Sequence, residues 1–200
     1  MTTPITAFKV AVPAEELEDL RRRLAATRWP DSQTCEGWDQ GMPLAYTREL
    51  ARYWLEDYDW ARFETKLNAW PQFLTAIDGM DIHFIHRRSP HENALPLIIS
   101  HGWPDSVAGL QKVIDALADP TAHGGDARDA FHVVIPSLPG FGFSGKPATS
   151  GTTVGNIGAA GGKLMARLGY PRYVAQGGEW GSLITHSMGV SEAGPCAGLH

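Results

Sequence analysis

The chain has 200 residues, 43% of them hydrophobic and 20% charged, enough for one sizeable core and typical of globular proteins. A formal net charge of −5, a pI of about 5.9 and no long basic run argue against binding to nucleic acid or to an anionic membrane. Cys35 and Cys196 suit neither a disulfide framework nor a zinc site, residues 1–12 lack the pattern of a signal peptide, and no apolar run is long enough to span a bilayer. The expectation is a cytoplasmic protein, without metal or cofactor, acting on a small and weakly charged ligand.

From Pro13 the run Glu15-Glu16-Leu17-Glu18-Asp19-Leu20-Arg21-Arg22-Arg23-Leu24 places leucines at helical spacing, acids early and bases late, which predicts a capped amphipathic helix. A Trp-rich, turn-rich stretch over 27–41, a second helix over 44–57 and a short one ending near Asn68 follow, with little β character in this first third. After Trp70-Pro71 the period shortens to two. Residues 73–77, a turn at Asp78-Gly79 and residues 81–86 read as a β-hairpin. Short apolar runs at 95–100 and 131–136, and a third strand at 173–176, alternate with helical segments at 107–118 and 163–168. That order predicts an α/β fold with a mostly parallel, doubly wound sheet. Gly158, Gly161 and Gly162 each cost about 1 kcal/mol relative to alanine in a helix, so the helix before the third strand should be weak or begin late. Residues 191–198 read as loop, and 197–200 as the opening of another strand.

The segment Gln176-Gly177-Gly178-Glu179-Trp180-Gly181-Ser182 lies between a predicted strand and the helical run 183–188. A turn sharp enough to expose a nucleophile at a strand end needs glycine two residues before and two after it, where side chains would clash. Gly177, Glu179 and Gly181 meet that pattern, with a carboxylate at the nucleophile position. An ordinary Gly-rich turn is the alternative. His101-Gly102-Trp103-Pro104, directly after the strand at 95–100, can offer a backbone N–H to an oxyanion, and the residue after the nucleophile, Trp180, supplies the second. The competing reading is a turn shaped by Gly102 and Pro104.

Phe8-Lys9-Val10 with Pro13, Thr27-Arg28-Trp29-Pro30, Trp38 before Gly41, Tyr53-Trp54, Tyr58-Asp59-Trp60 and Pro71-Gln72-Phe73 resemble the N-terminal segment of microsomal-type epoxide hydrolases and their soluble bacterial relatives. His101-Gly102-Trp103-Pro104, the run from Pro136 to Ser144 and the elbow at Gly177 to Gly181 continue the match over nearly the whole chain. The resemblance implies an epoxide-hydrolase-type segment over 1–70 and part of an α/β-hydrolase core over 71–200. It also implies attack on an epoxide by an elbow aspartate, protonation of the departing oxygen by cap tyrosines, and hydrolysis of the ester by water that a histidine paired to a carboxylate activates. Carried over here, Glu179 takes the nucleophile position, the Trp103 and Trp180 N–H groups hold the oxyanion, and the two indoles wall a pocket for a small apolar epoxide-like substrate.

Two features depart from that pattern. Glu179 stands where the family has aspartate, and its extra methylene moves the carboxylate by roughly 1.5 Å, a displacement that can cost about 100-fold in rate. No cap, later acid or catalytic histidine is found before His200, so the chain is expected to be a truncated product or the first portion of a longer enzyme, inactive or impaired by itself. A sheet left with an open edge and an uncovered apolar face is expected to self-associate.

Other signals carry less. Gly140 to Gly145 satisfies G-x-G-x-x-G but runs into Lys146-Pro147, without a helix or a nearby acid for a ribose. His83 and His86, three apart on a strand, point to opposite faces and cannot share a metal. His101 and His186 read as structural, and Ser106, Ser144 and Ser182 lack a base partner. A haloalkane dehalogenase-like hydrolase and a non-catalytic scaffold that binds an apolar ligand or a partner remain as alternatives.

Overall fold

The computed structural model describes residues 4–190 and 196–200. The chain divides into a smaller unit, Val10–Lys66, and a larger one, Met1–Lys9 with Leu67–His200.

The smaller unit is built on α1 (Ala14–Ala25), α2 (Leu44–Glu56) and α3 (Trp60–Leu67). Glu15 and Glu16 in the first turn of α1 and Arg22 and Arg23 in the last complement the helix dipole. No side chain caps its start: Pro13 occupies the N-cap position, and its fixed φ of −58° with a ψ of 144° starts the helix. Asp59 caps α3, its Oδ1 accepting the N–H of Ala61 at 3.0 Å and of Arg62 at 3.3 Å. Glu64 on α3 accepts both the Val12 N–H (3.0 Å) and the Trp60 indole N–H (3.1 Å), which ties the segment before α1 to α3.

In the larger unit a sheet runs in the order β1-β2-β3-β5-β4-β6-β7. Its strands are β1 (Thr6–Phe8), β2 (Gln72–Ile77), β3 (Met80–Arg87), β4 (Leu95–Ser100), β5 (Phe131–Pro136), β6 (Tyr173–Gly177) and β7 (Cys196–Leu199). Pairing is antiparallel from β1 to β5 and parallel along β5-β4-β6-β7. The β2–β3 hairpin turns on Asp78 (φ 52°) and Gly79 (φ 81°), the left-handed pair that a two-residue turn of matching twist requires. β4 and β5 are apolar on both faces because both are covered, and Ile98, Val133, Val134 and Ile135 are at most 1% exposed. Among the described residues, β7 occupies the stretch expected to open a strand. Of the loop reading for 191–198, residues 191–195 lie outside the described residues, and Cys196 to Gly198 are strand instead, because they pair in parallel with β6.

Two elements depart from the sequence reading. Residues 107–118 do not form one helix: Val107–Leu110 is a 3-10 turn capped by Ser106, and only Ile114–Ala118 is helical (α4). The glycine-containing helix before β6 begins early, giving α5 over Val154–Arg167. Thr153 and Asn156 form a reciprocal capping box at its start. Two of its glycines face α6 (Trp180–Val190), where a Cβ on Gly158 would lie 2.1 Å from Ser187 Oγ and one on Gly161 would lie 3.2 Å from Met188 Cε. The propensity cost is therefore offset by close helix packing. α5 and α6 cover one face of the sheet, with Leu164, Met165 and Met188 packed against Ile98, Val134 and Tyr173.

Candidate active site

β6 delivers the chain to Gly177, and after Gly178 and Glu179 helix α6 starts at Trp180. Glu179 holds φ at 55°, a left-handed conformation that costs a non-glycine residue about 1–2 kcal/mol. Surrounding contacts enforce it. A Cβ on Gly177 would sit 2.0 Å from the Gly181 carbonyl oxygen, and one on Gly181 would sit 2.0 Å from the Ser100 carbonyl oxygen. The Gly181 N–H donates to the Gly178 carbonyl (2.8 Å), and the Ser182 N–H and hydroxyl both donate to the Glu179 carbonyl (3.0 and 2.6 Å). Ser182 is thereby committed to the turn.

The second half of the site leaves β4. Its turn contains a cis Trp103-Pro104 bond and folds over the elbow so closely that a Cβ on Gly102 would approach the Trp180 nitrogen to 2.8 Å. The Trp103 N–H donates to Glu179 Oε2 at 3.1 Å, and the Trp180 N–H donates to the same oxygen. Both indoles are more than half exposed, at 64% and 51%.

His101 staples this turn to the loop after β5. Its Nε2 accepts the Leu138 N–H at 3.1 Å, which leaves the proton on Nδ1, 3.1 Å from the Gly102 carbonyl oxygen. Burial lowers its pKa and keeps it neutral. His186 is exposed on α6. His83 is fully buried between Ser137 Oγ (2.9 Å) and Gln72 Oε1 (3.0 Å), and His86 meets Tyr170 Oη at 2.9 Å. Ser106 caps a turn, and Ser144 bridges the His83 N–H and the Ser137 carbonyl. Among the described residues no group of three or more His, Cys, Asp or Glu is placed to hold a metal.

Two cavities adjoin the elbow. One, of about 250 Å³, is bordered by Glu179, Ser100, Asp105 and Gln176; the other, of about 270 Å³, by Trp103, Trp180, Phe141, Val154 and Ile157. Apart from the tryptophans, the second set was not legible as a site. Its residues come from separate elements, and each also reads as ordinary core.

Residues 5–110 match the family described as epoxide hydrolase N terminus, and residues 96–196 match the alpha/beta hydrolase fold. An epoxide hydrolase-type protein of Stigmatella aurantiaca is 54% identical over 98% of this chain and 44% of its own length. Epoxide hydrolase 1 of Oryctolagus cuniculus is 35% identical, again over 98% of this chain and 44% of its own length. The structure of the Aspergillus niger epoxide hydrolase superposes with a TM-score of 0.85 at 30% identity, covering 98% of this chain and 51% of that one. The chain thus spans about half the length of the relatives it matches. With the elbow, the turn over it and the sheet order in place, the chain belongs to the epoxide hydrolase family.

Proposed function

We propose that Glu179 is the nucleophile of an epoxide-opening reaction for which this chain supplies the carboxylate and the oxyanion donors. The observation that carries the reading is that one carboxylate oxygen, Oε2, accepts both the Trp103 and the Trp180 N–H while Oε1 has neither of these donors. In this reading Oε1 attacks a ring carbon. A C–O ester bond forms, the ring C–O bond breaks, and the departing alkoxide takes a proton from an acid. Water then adds to the ester carbonyl and gives a proton to a base, and the negative charge develops on Oε2, already held by two donors. Each such donor contributes about 3–4 kcal/mol to transition-state stabilisation. Collapse releases a diol and restores the carboxylate.

The acid and base are assigned to the half of the relatives that this chain does not match. No histidine is hydrogen-bonded to Glu179 among the described residues, which supports a reaction that halts at the ester. The same observation supports the second reading, a scaffold that binds an apolar ligand without turnover. The net charge of −5 supports a substrate that is neither nucleic acid nor anionic lipid. No helix among the described residues is long and apolar enough to cross a membrane, and a cytoplasmic setting remains part of the proposal.

Intact-mass measurement and peptide mapping after incubation with styrene oxide test this directly. One adduct on Glu179, absent in Glu179→Gln, is the expected result. Labelling that ignores Glu179→Gln overturns the reading, and saturable styrene oxide binding with no covalent product favours the scaffold.

A further inference from the structure

Each N–H that reaches Glu179 Oε2 belongs to a peptide group gripped at its other end. The Trp103 N–H shares its peptide with the Gly102 carbonyl, whose oxygen lies 3.1 Å from His101 Nδ1. Because His101 Nε2 accepts the Leu138 N–H at 3.1 Å, the proton sits on Nδ1 and the imidazole donates to that carbonyl. The ring has little freedom: it is 3% exposed, and Phe141 packs edge-on against it at 5.3 Å. The Trp180 N–H shares its peptide with the Glu179 carbonyl, which accepts both the Ser182 N–H (3.0 Å) and the Ser182 hydroxyl (2.6 Å). Successive hydrogen bonds polarise one another, so a carbonyl that accepts a proton donor makes the N–H across the same peptide a stronger donor.

We propose that His101 and Ser182 are positioning residues of the oxyanion site, each acting through one peptide group to hold and polarise the N–H that faces Oε2. The inference rests on Glu179 being the nucleophile. Attack by Oε1 gains little from stronger donors on Oε2, which also stabilise the resting carboxylate. Cleavage of the ester gains fully, since the charge then develops on Oε2. The two residues therefore serve the second step more than the first.

The test separates the two links of His101. Asparagine places an amide N–H near the position of Nδ1, and glutamine places a carbonyl oxygen near that of Nε2. His101→Asn thus keeps the donor to Gly102, and His101→Gln keeps only the link to Leu138. Each chain is labelled with styrene oxide, and the ester at Glu179 is then cleaved with hydroxylamine. Hydroxylamine attacks the ester carbonyl, its proton passes to the departing diol oxygen and a hydroxamate remains, so the protein supplies no base. Cleavage is expected to slow by about two- to sevenfold in His101→Gln and in Ser182→Ala, by a larger factor than labelling does, and to recover in His101→Asn. Unchanged cleavage, equal slowing of both steps, or equal effects of asparagine and glutamine overturn the proposal.

A second arm needs no adduct. In an HNCO spectrum one cross-peak joins the Gly102 carbonyl carbon to the Trp103 N–H, and another joins the Glu179 carbonyl carbon to the Trp180 N–H. Upfield shifts of the first in His101→Gln and of the second in the exposed variant Ser182→Ala support the polarised peptides. Unmoved cross-peaks, or a proton on His101 Nε2 in the unchanged chain, overturn them. If styrene oxide leaves Glu179 unlabelled, the nucleophile reading fails separately and this arm still decides.

Discussion

Gly102 lies against Glu179 so tightly that a Cβ at position 102 would fall 2.7 Å from both the Cβ and the Oε2 of the glutamate. Gly102→Ala is therefore expected to push the Trp103 N–H away from Oε2. Displacing the turn should also misplace the carboxylate that it holds, which can slow epoxide labelling at Glu179 by up to about 100-fold, and the overpacking should lower stability by about 1–3 kcal/mol. Labelling kinetics beside urea unfolding read the two effects separately. Full labelling with unchanged stability would show that the turn can relax.

Buried histidines give the chain a defined acid response. Burial lowers the pKa of His83 from 6.5 to about 4, and burial, with Arg88 and His132 nearby, does the same for His86. Both are neutral in the folded state and bind protons more readily when unfolded. Their contribution is complete above about pH 6.5 and is lost as pH falls towards 4, costing each residue roughly 1–2 kcal/mol by pH 5. Urea unfolding at pH 7.5 and pH 5 should show that decline, and NMR titration of His83 should place its midpoint near 4. A stability flat across this range would contradict the burial argument.

Gly158→Ala sets local propensity against packing. In an isolated helix the change gains about 1 kcal/mol. Here the added methyl meets Ser187 Oγ at 2.1 Å and the Ile184 carbonyl at 3.1 Å, so a net loss of about 1–3 kcal/mol is expected in thermal or urea unfolding. Net stabilisation would mean that α5 and α6 separate easily.

That contrast also explains what the sequence could and could not reveal. β4 and β5 were legible to the residue, because short, mostly apolar runs mark strands covered on both faces. The Asp78-Gly79 turn was legible because so few residue pairs adopt two left-handed conformations. The glycine spacing around position 179 was legible for a steric reason, since Gly177 and Gly181 have no room for a side chain. β1 was not: three residues carry no period, and Thr6, Ala7 and Phe8 are strand only through β2. The early start of α5 was hidden because its glycines answer to a partner 26 or more residues away. Val154 and Ile157 gave no functional signal at all, since only the fold brings them beside Trp180.

Among the described residues β7 is the outer strand of the sheet beyond β6, and on it Leu199, 49% exposed, presents an apolar face at the rim of a cavity of about 660 Å³. Self-association is expected through this face. Light scattering should show mass rising with concentration, and Leu199→Lys should reduce it. A monodisperse monomer that melts cooperatively would contradict the expectation.

The most direct test of the account follows diol and covalent adduct together, in one time course with styrene oxide, for the unchanged chain, Glu179→Asp and Glu179→Gln. Aspartate is expected to change the labelling rate by up to about 100-fold, because the carboxylate moves by one methylene, yet to give no multiple turnover without a base for the ester step. The predicted result is an adduct that plateaus at one per chain for the two carboxylates, no adduct for Glu179→Gln, and diol that never exceeds one equivalent. Diol accumulating steadily beyond one equivalent, at a rate that Glu179→Gln leaves unchanged, would contradict the assignment of Glu179 as the nucleophile.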